Sequence, residues 1–159
     1  MARHRAVIEW ALTDAAPEDF LKGRYSRGHT VTFEGGHEVP ATASRHVVGN
    51  RWAVEGSVDP EEMLVAALSN CHMLTFLHVA REAGFAVTRY RDAAEGVMEK
   101  SPAGRMAVTR VWLRPEITWA GPEPSAAELD RLHHEAHEQC FIANSVTTEV
   151  VVEAAAPAA

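Results

Sequence analysis

The longest apolar segment of the chain runs over residues 59–84, DPEEMLVAALSNCHMLTFLHVAREAG. Asp59 and Pro60 are typical of a helix start, two glutamates follow in the first turn, and Gly84 is typical of a helix end. Polar residues interrupt the apolar run and no basic flank follows it, which argues against a membrane span. The pattern therefore predicts the central helix of a soluble core, buried on several sides, with Cys71 near its middle.

Strands are predicted ahead of this helix. Residues 5–12 alternate loosely between apolar and polar positions and predict a first strand. Residues 29–43 predict two short strands joined by a tight turn at Gly35-Gly36, and Pro40 places the second of them at a sheet edge. Residues 44–58 are polar, and we predict a loop there.

After the helix, β-branched and aromatic residues predict a long antiparallel hairpin formed by residues 85–100 and 105–120. Ser125 followed by Glu128 is a capping-box signature and starts a second helix that reaches Cys140. A final strand closes the chain. Together these elements predict an α+β fold in which helices pack on antiparallel sheets.

The length of 159 residues fits one domain, so we expect a single domain over residues 1–159 with a disordered tail at residues 154–159. A net charge of −7 and the lack of a Lys/Arg cluster argue against nucleic-acid and anionic-membrane partners and favour small molecules. The first ten residues, MARHRAVIEW, lack the apolar stretch of a signal peptide, so we expect a cytoplasmic protein.

The two cysteines, Cys71 and Cys140, are the residues best suited to chemistry. Taken alone, Cys71 is most simply a small core residue, since unpaired cysteines are often buried. Cys140 changes this interpretation, because two thiols are the minimum set for a peroxide cycle. The first thiolate attacks the O–O bond and becomes a sulfenic acid, and the second thiol condenses with it to give a disulfide.

The string DPEEMLVAALSNC, with a Pro-Glu pair whose glutamate lies ten residues before the cysteine, resembles the OsmC/Ohr family of osmotically inducible and organic hydroperoxide resistance proteins. The second cysteine, followed by an asparagine and a closing strand, resembles it too, and the element order matches over residues 5–153. The resemblance implies an OsmC-like fold whose long central helix carries the first cysteine and whose second helix carries the other. It also implies a thiol-dependent peroxidase that reduces organic hydroperoxides in the oxidative stress response without a metal or haem cofactor. The expected partners are a second copy of the chain in an intertwined homodimer and a dithiol reductant such as a lipoylated protein.

Carried over residue by residue, the resemblance makes Cys71 the peroxidatic cysteine and Cys140 the resolving cysteine that forms a disulfide with it. Glu61 matches the glutamate ten positions before the first cysteine, and Arg27 is the best match for the catalytic arginine, with Arg24 and Arg45 as alternatives. A guanidinium is always charged and can favour the thiolate while binding the peroxide oxygen, and Glu61 would hold it in place.

The sequence also departs from the family pattern. Phe141 stands where the family usually has proline, and His72 stands where it often has an aromatic or apolar residue. Either change can alter the substrate shape or the reactivity of the thiol. The apolar surroundings of Cys71 favour a hydrophobic hydroperoxide over hydrogen peroxide, with Phe76, Trp52 and Phe141 as candidate walls.

Two alternative functions remain open. His133, His137 and Cys140 fall on one face of the second helix at i, i+4 and i+7, and imidazole and thiolate are zinc ligands, which would make this a metal-binding protein. Histidines on so acidic a helix are more often solvated. The second alternative is a non-catalytic OsmC-like protein that binds a small ligand.

Overall fold

The computed structural model describes residues 1–153, so the prediction about the tail lies outside the described residues. The chain packs as two compact units, Met1–Met63 and a second that begins at Leu64. The expected single domain stays a prediction.

The first unit contains a three-stranded antiparallel sheet in the order β1-β2-β3, formed by Ala6–Glu9, His29–Phe33 and Glu38–Ala41. The β2-β3 hairpin is confirmed, with Gly36 at a positive φ of 81° in its turn, and so is the edge position of the third strand. Two short helices, α1 (Pro17–Leu21) and α2 (Arg45–Val48), accompany the sheet. α2 lies in the segment predicted as a loop, because four residues are too few to show a helical period.

The long helix α3 spans Pro60–Glu82, as predicted. Its start is a capping box in which the Asp59 carboxylate accepts from the backbone N–H of Glu62 at 2.8 Å and the Glu62 carboxylate accepts from that of Asp59 at 3.0 Å. Its end is set by Gly84, whose φ of 86° lets the next residue, Phe85, donate to the carbonyl of Ala80.

The second unit contains the predicted hairpin, divided between two sheets. β4 (Ala86–Asp92) pairs with β7 (Pro115–Ala120), and β5 (Glu95–Lys100) pairs with β6 (Met106–Leu113). The division falls where the Asp92 carboxylate accepts from the backbone N–H of Arg114 at 2.6 Å, just before Pro115. Helix α4 (Ala126–Gln139) follows with the predicted capping box, then a 3₁₀ turn (Ala143–Ser145) and β8 (Glu149–Val152), which runs parallel to β6.

Helix α3 packs against α4 and against both sheets of this unit. Phe76, Val79 and Ala80 pack against the buried side chains of α4, Leu129, Leu132 and Ala136. A second apolar cluster contains Leu68 of α3, which packs against Val111 and Leu113 of β6. By length and composition alone α3 could cross a membrane, but these contacts are those of a core helix. The α+β fold class, with antiparallel sheets and a long central helix, is confirmed.

Candidate functional site

The first predicted cysteine, Cys71, lies on α3 and is half-buried. It is one residue before His72 in the helix, so the two side chains leave the axis about 100° apart. His72 is fully buried in the face of α3 that meets the core, whereas Cys71 borders a cavity. Cys71 is therefore at the edge of the core, within reach of small molecules.

Cys140 is the residue that ends helix α4, and its side chain is buried. Its sulfur accepts a hydrogen bond from the backbone N–H of Ala143, with 3.5 Å between the heavy atoms. Its thiol also lies close to the side chain of Cys71. Burial raises the pKa of the Cys140 thiol, the neighbouring Cys71 raises it further, and the backbone N–H groups of Ile142 and Ala143 oppose the rise. The structure thus brings the two predicted cysteines together, with Cys140 held as the protonated thiol.

A cavity of about 570 Å³ opens beside Cys71. Its lining combines apolar and polar side chains from α3 and from the chain around the end of α4: Cys71, Leu74, Thr75, His78, Glu138, Gln139, Phe141 and Asn144. Phe141 is 82% exposed and forms part of this lining, as expected for a wall residue. The expectation for Phe76 is wrong, because Phe76 is fully buried in the core against the rings of His133, Tyr90 and Trp119. Trp52 belongs to the first unit.

Glu61 occupies the first turn of α3, where its neighbour Glu62 serves the capping box. One carboxylate oxygen of Glu61, Oε2, is buried and has no hydrogen-bond partner among residues 1–153. A buried carboxylate oxygen without a donor is costly, and native proteins normally pair such atoms. The two glutamates therefore differ in role. Glu62 caps the helix, whereas Glu61 has a carboxylate oxygen that is free to accept a hydrogen bond.

The predicted arginine, Arg27, is held by its own loop. Its guanidinium donates to the carbonyl oxygens of Gly23 and Tyr25 and lies over the Tyr25 ring, 3.5 Å from the centroid. Within the described residues the expected pairing of Glu61 with Arg27 is not formed, because these nearby acceptors and the ring face already satisfy the guanidinium. Arg24 approaches Asp19 at 4.0 Å, and Arg45 lies in the first turn of α2.

The structure does not assemble the alternative metal site. His133 Nδ1 lies 3.1 Å from Nε2 of His72 on α3, and the Cys140 sulfur is engaged by Cys71 and the Ala143 N–H. Across residues 1–153, no three His, Cys, Asp or Glu side chains are grouped as the ligands of a metal ion. The alternative group of His133, His137 and Cys140 is therefore not assembled among the described residues, because side chains on one helix face need not point to one position.

A family model described as OsmC-like protein matches residues 54–155, about two thirds of the chain. The chain belongs to the OsmC-like family. The match includes both cysteines of this OsmC-like chain, Glu61 and the whole of α3 and α4.

Two relatives of this OsmC-like protein differ in how similar they are to it. An OsmC-like protein of unknown function from Vibrio cholerae O1 biovar eltor is 47% identical, with a TM-score of 0.91 over 98% of this chain and 100% of that one. Peroxiredoxin OsmC of Escherichia coli (strain K12) is 27% identical over 103 residues, which are 65% of this chain and 70% of the relative.

A more distant structure extends the fold comparison. An organic hydroperoxide resistance protein OsmC from Legionella pneumophila is 18% identical, with a TM-score of 0.70 over 99% of this chain and 98% of that one. At this identity the likeness concerns the fold alone. The OsmC/Ohr resemblance predicted from the sequence is confirmed at the level of family and fold.

The histidine pair of this OsmC-like chain, His72 and His133, is the feature that the sequence analysis missed. A signal was present: His72 lies four residues after Leu68 and four before Phe76, and His133 lies four after Leu129, so each histidine falls in an apolar helical stripe. Such a position predicts a buried ring rather than a metal ligand or a solvated one.

Proposed function

We propose that this OsmC-like protein is a thiol-dependent peroxidase that reduces organic hydroperoxides through a sulfenic acid on Cys71 and a disulfide between Cys71 and Cys140. The observation that carries the proposal is the proximity of the two thiols beside an open cavity. The relative from Escherichia coli is named a peroxiredoxin, which supports the same reaction class.

The proposed cycle has three steps. The Cys71 thiolate attacks the distal peroxide oxygen, the O–O bond breaks, and the alcohol leaves with the electron pair and the proton of the hydroperoxide. The resulting sulfenate takes up one proton from solvent to give the sulfenic acid, which condenses with the Cys140 thiol to form the S–S bond and release water. A dithiol reductant then supplies two electrons and two protons by thiol–disulfide exchange and restores both thiols.

The protonated state of Cys140 is consistent with the resolving role, which acts only in the disulfide-forming step. A thiol with a raised pKa is a poor nucleophile toward peroxide in solution, because the thiolate is the reactive form. Cys71, by contrast, borders the open cavity, where a hydroperoxide can reach its sulfur. We therefore assign the peroxidatic role to Cys71 and the resolving role to Cys140.

The cavity favours a substrate with an apolar group. Leu74 and Phe141 present exposed apolar surface beside Cys71, which an alkyl or aryl hydroperoxide can cover and hydrogen peroxide cannot. Glu138 lies in the same lining and disfavours substrates that carry a carboxylate. We propose uncharged aryl and alkyl hydroperoxides as the preferred class.

A cation is still required near the reacting sulfur. We propose that Glu61 uses its free carboxylate oxygen to hold a guanidinium, with Arg27 as the first candidate and Arg24 and Arg45 as alternatives. For Arg27 this requires release from the carbonyls of Gly23 and Tyr25.

We also propose that the protein works in the cytoplasm as a homodimer. Large apolar side chains are exposed in the described residues of both units, among them Val7, Ile8, Leu21, Phe33, Leu74 and Met106. A second copy that covers such surface would gain hydrophobic stabilisation. Light scattering measures the mass directly, and a monomer at micromolar concentration would refute the dimer.

The proposed function is tested by consumption of cumene hydroperoxide in the presence of dihydrolipoamide, a dithiol. We expect the wild-type protein to turn over many equivalents and Cys71→Ser to turn over none. Equal background rates for the two proteins would reject the peroxidase and leave the non-catalytic small-ligand binding protein as the better account.

A further inference from the structure

His72 and His133 form a buried pair between helices α3 and α4. Their side chains are only 1% and 4% exposed, and His72 Nε2 lies 3.1 Å from His133 Nδ1. The His133 and His72 rings are nearly coplanar, with centroids 5.4 Å apart and 12° between the ring planes, and the His133 ring stacks on the Phe76 ring at 4.3 Å and 25°. Hydrogen bond and stacking together fix both the distance and the orientation of the two rings.

Among the described residues, each ring makes its side-chain hydrogen bond to the other ring. His72 Nδ1 and His133 Nε2 are both buried, and neither has a hydrogen-bond partner in the part of the chain that the structure describes. Burial lowers the pKa of both histidines to about 4, and the pKa of His72 is lowered further by His137. At neutral pH the pair is therefore two uncharged imidazoles, one donating to the other.

The pair joins the same two helices that carry the two sulfur atoms. His72 is the residue after Cys71 on α3, and His133 lies two helical turns before Cys140 on α4. The two helices thus meet at two polar positions, through a hydrogen bond between the imidazoles and through the proximity of the two thiols. A thiol is a weak hydrogen-bond donor and acceptor, so the imidazole contact is the stronger constraint on how α4 lies against α3.

We propose that His72 and His133 are positioning residues that hold α4 against α3 so that Cys140 can reach Cys71 and close the disulfide. This inference rests on the proposed function for its place in the cycle. The step that the histidine pair would affect converts the Cys71 sulfenic acid and the Cys140 thiol into a disulfide and one water molecule. Disulfide geometry is narrow, with an S–S bond of about 2.05 Å and a restricted torsion, so a small displacement of α4 would slow this step. The attack of Cys71 on peroxide forms no bond to a residue of α4 and so does not need this alignment.

The test separates the two steps. In a Cys140→Ser background, a sulfenic-acid trap such as dimedone measures oxidation of Cys71 by one equivalent of cumene hydroperoxide. With both cysteines present, mass spectrometry measures closure of the disulfide. We expect His133→Leu to leave sulfenic acid formation within twofold of wild type and to slow disulfide closure at least tenfold. His134→Gln, an exposed neighbour on the same helix, is the matched control and should change neither rate.

A second pair of variants keeps the test decisive if His133→Leu does not fold. His133→Asn retains a polar atom near the position of Nδ1 and should restore most of the closure rate, whereas His133→Gln places its amide one methylene further and should not. A folded His133→Leu or His133→Gln protein that closes the disulfide at the wild-type rate would overturn the proposal.

Closure driven by oxidised glutathione distinguishes this inference from the proposed function. This oxidant forms the disulfide by exchange and needs no peroxide. If hydroperoxide does not oxidise Cys71 but glutathione closes the wild-type disulfide at least tenfold faster than that of His133→Gln, the peroxidase fails and the positioning role stands. If glutathione closes both equally, the positioning role fails whatever the peroxide assay gives.

Discussion

The thiol of Cys140 lies close to the side chain of Cys71, although Cys71 belongs to α3 and Cys140 ends α4. Cys140 ends α4, and the turn that follows brings backbone N–H groups to its sulfur. Cys71 instead borders the cavity. This asymmetry gives the two cysteines different roles, and the first prediction follows from it.

Replacing Cys140 with serine should separate the first oxidation from the rest of the cycle. Cys140→Ser should consume one equivalent of hydroperoxide per chain and then stop, because no second thiol is available to condense with the sulfenic acid. Excess peroxide should carry Cys71 on to the sulfinic acid, which mass spectrometry detects as the addition of two oxygen atoms. If Cys140→Ser instead turns over like wild type, Cys140 is not the resolving residue.

Removing the predicted cation should lower the fraction of Cys71 that is present as the reactive thiolate. Arg27→Ala should slow alkylation of Cys71 by iodoacetamide at pH 7 about tenfold or more, because a guanidinium near a thiol favours the reactive anion. Arg24→Ala is the control from the same segment. A slow reaction in Arg24→Ala with a normal rate in Arg27→Ala would transfer the role to Arg24, and normal rates in both would direct attention to Arg45.

Shortening the exposed ring at the cavity should change substrate preference. Phe141→Ala should lower kcat/KM for cumene hydroperoxide by about tenfold, since an aromatic contact contributes roughly 1–2 kcal/mol. The value for hydrogen peroxide should stay nearly constant, because that substrate has no apolar group to bury. Met106→Ala, an exposed apolar residue outside this cavity lining, serves as the control. A parallel loss for both peroxides in Phe141→Ala would point to a general defect in reactivity.

The buried histidine pair should make stability depend on pH. The folded pKa values of His72 and His133 are about 4, below the ordinary value of 6.5, so the unfolded chain binds protons first as the pH falls. The part of the free energy of unfolding that depends on the two histidines being uncharged is fully present above pH 6.5. It is lost as the pH falls from 6.5 toward 4. His137 opposes protonation of His72, and Asp92 on β4 favours it.

Between pH 7 and pH 5 this should lower the free energy of unfolding by on the order of 1–2 kcal/mol for each histidine. Urea denaturation at the two pH values measures the difference, and most carboxylates stay ionised over this range. The double variant His72→Leu/His133→Leu should show a flatter pH dependence. An unchanged slope in a folded double variant would mean that other groups cause the effect.

A glycine fixes how α3 lies on the sheet of the second unit. A Cβ added at Gly96 of β5 would lie 2.6 Å from Cγ2 of Val65 on α3, and a β-branched side chain in a helix has little rotamer freedom to yield. Gly96→Ala should therefore destabilise the protein by about 1–3 kcal/mol. Gly35→Ala, where the nearest atom is 3.6 Å away, should change stability by less than about 0.5 kcal/mol. Equal urea midpoints for the two variants would contradict the close packing of α3.

The elements that the sequence predicted well are those set by neighbours in the chain. Asp59 and Glu62 cap the helix that they begin, and the positive φ of Gly84 ends it, so the bounds of α3 follow from local chemistry. The division of the long hairpin could not be predicted in this way. It accompanies a contact between Asp92 and the backbone of Arg114, which are far apart in the sequence.

The site was predictable only in part for the same reason. The family pattern selected Cys71 and Cys140, but their contact is a property of how α3 meets α4. Spacing alone offered His133 as a ligand in the alternative metal site, and the structure instead pairs it with His72. Spacing along one helix reports which side chains share a face, and it contains no information about what the neighbouring helix presents to that face.

The central claim is that hydroperoxide oxidises Cys71 and that Cys140 then captures it. Mass spectrometry of the non-reduced protein after one equivalent of cumene hydroperoxide tests this most directly. We predict a peptide pair joined through Cys71 and Cys140, with a loss of two hydrogens from the intact mass. Two free thiols after complete consumption of the peroxide, or oxidation at methionine with both cysteines unchanged, would contradict the account.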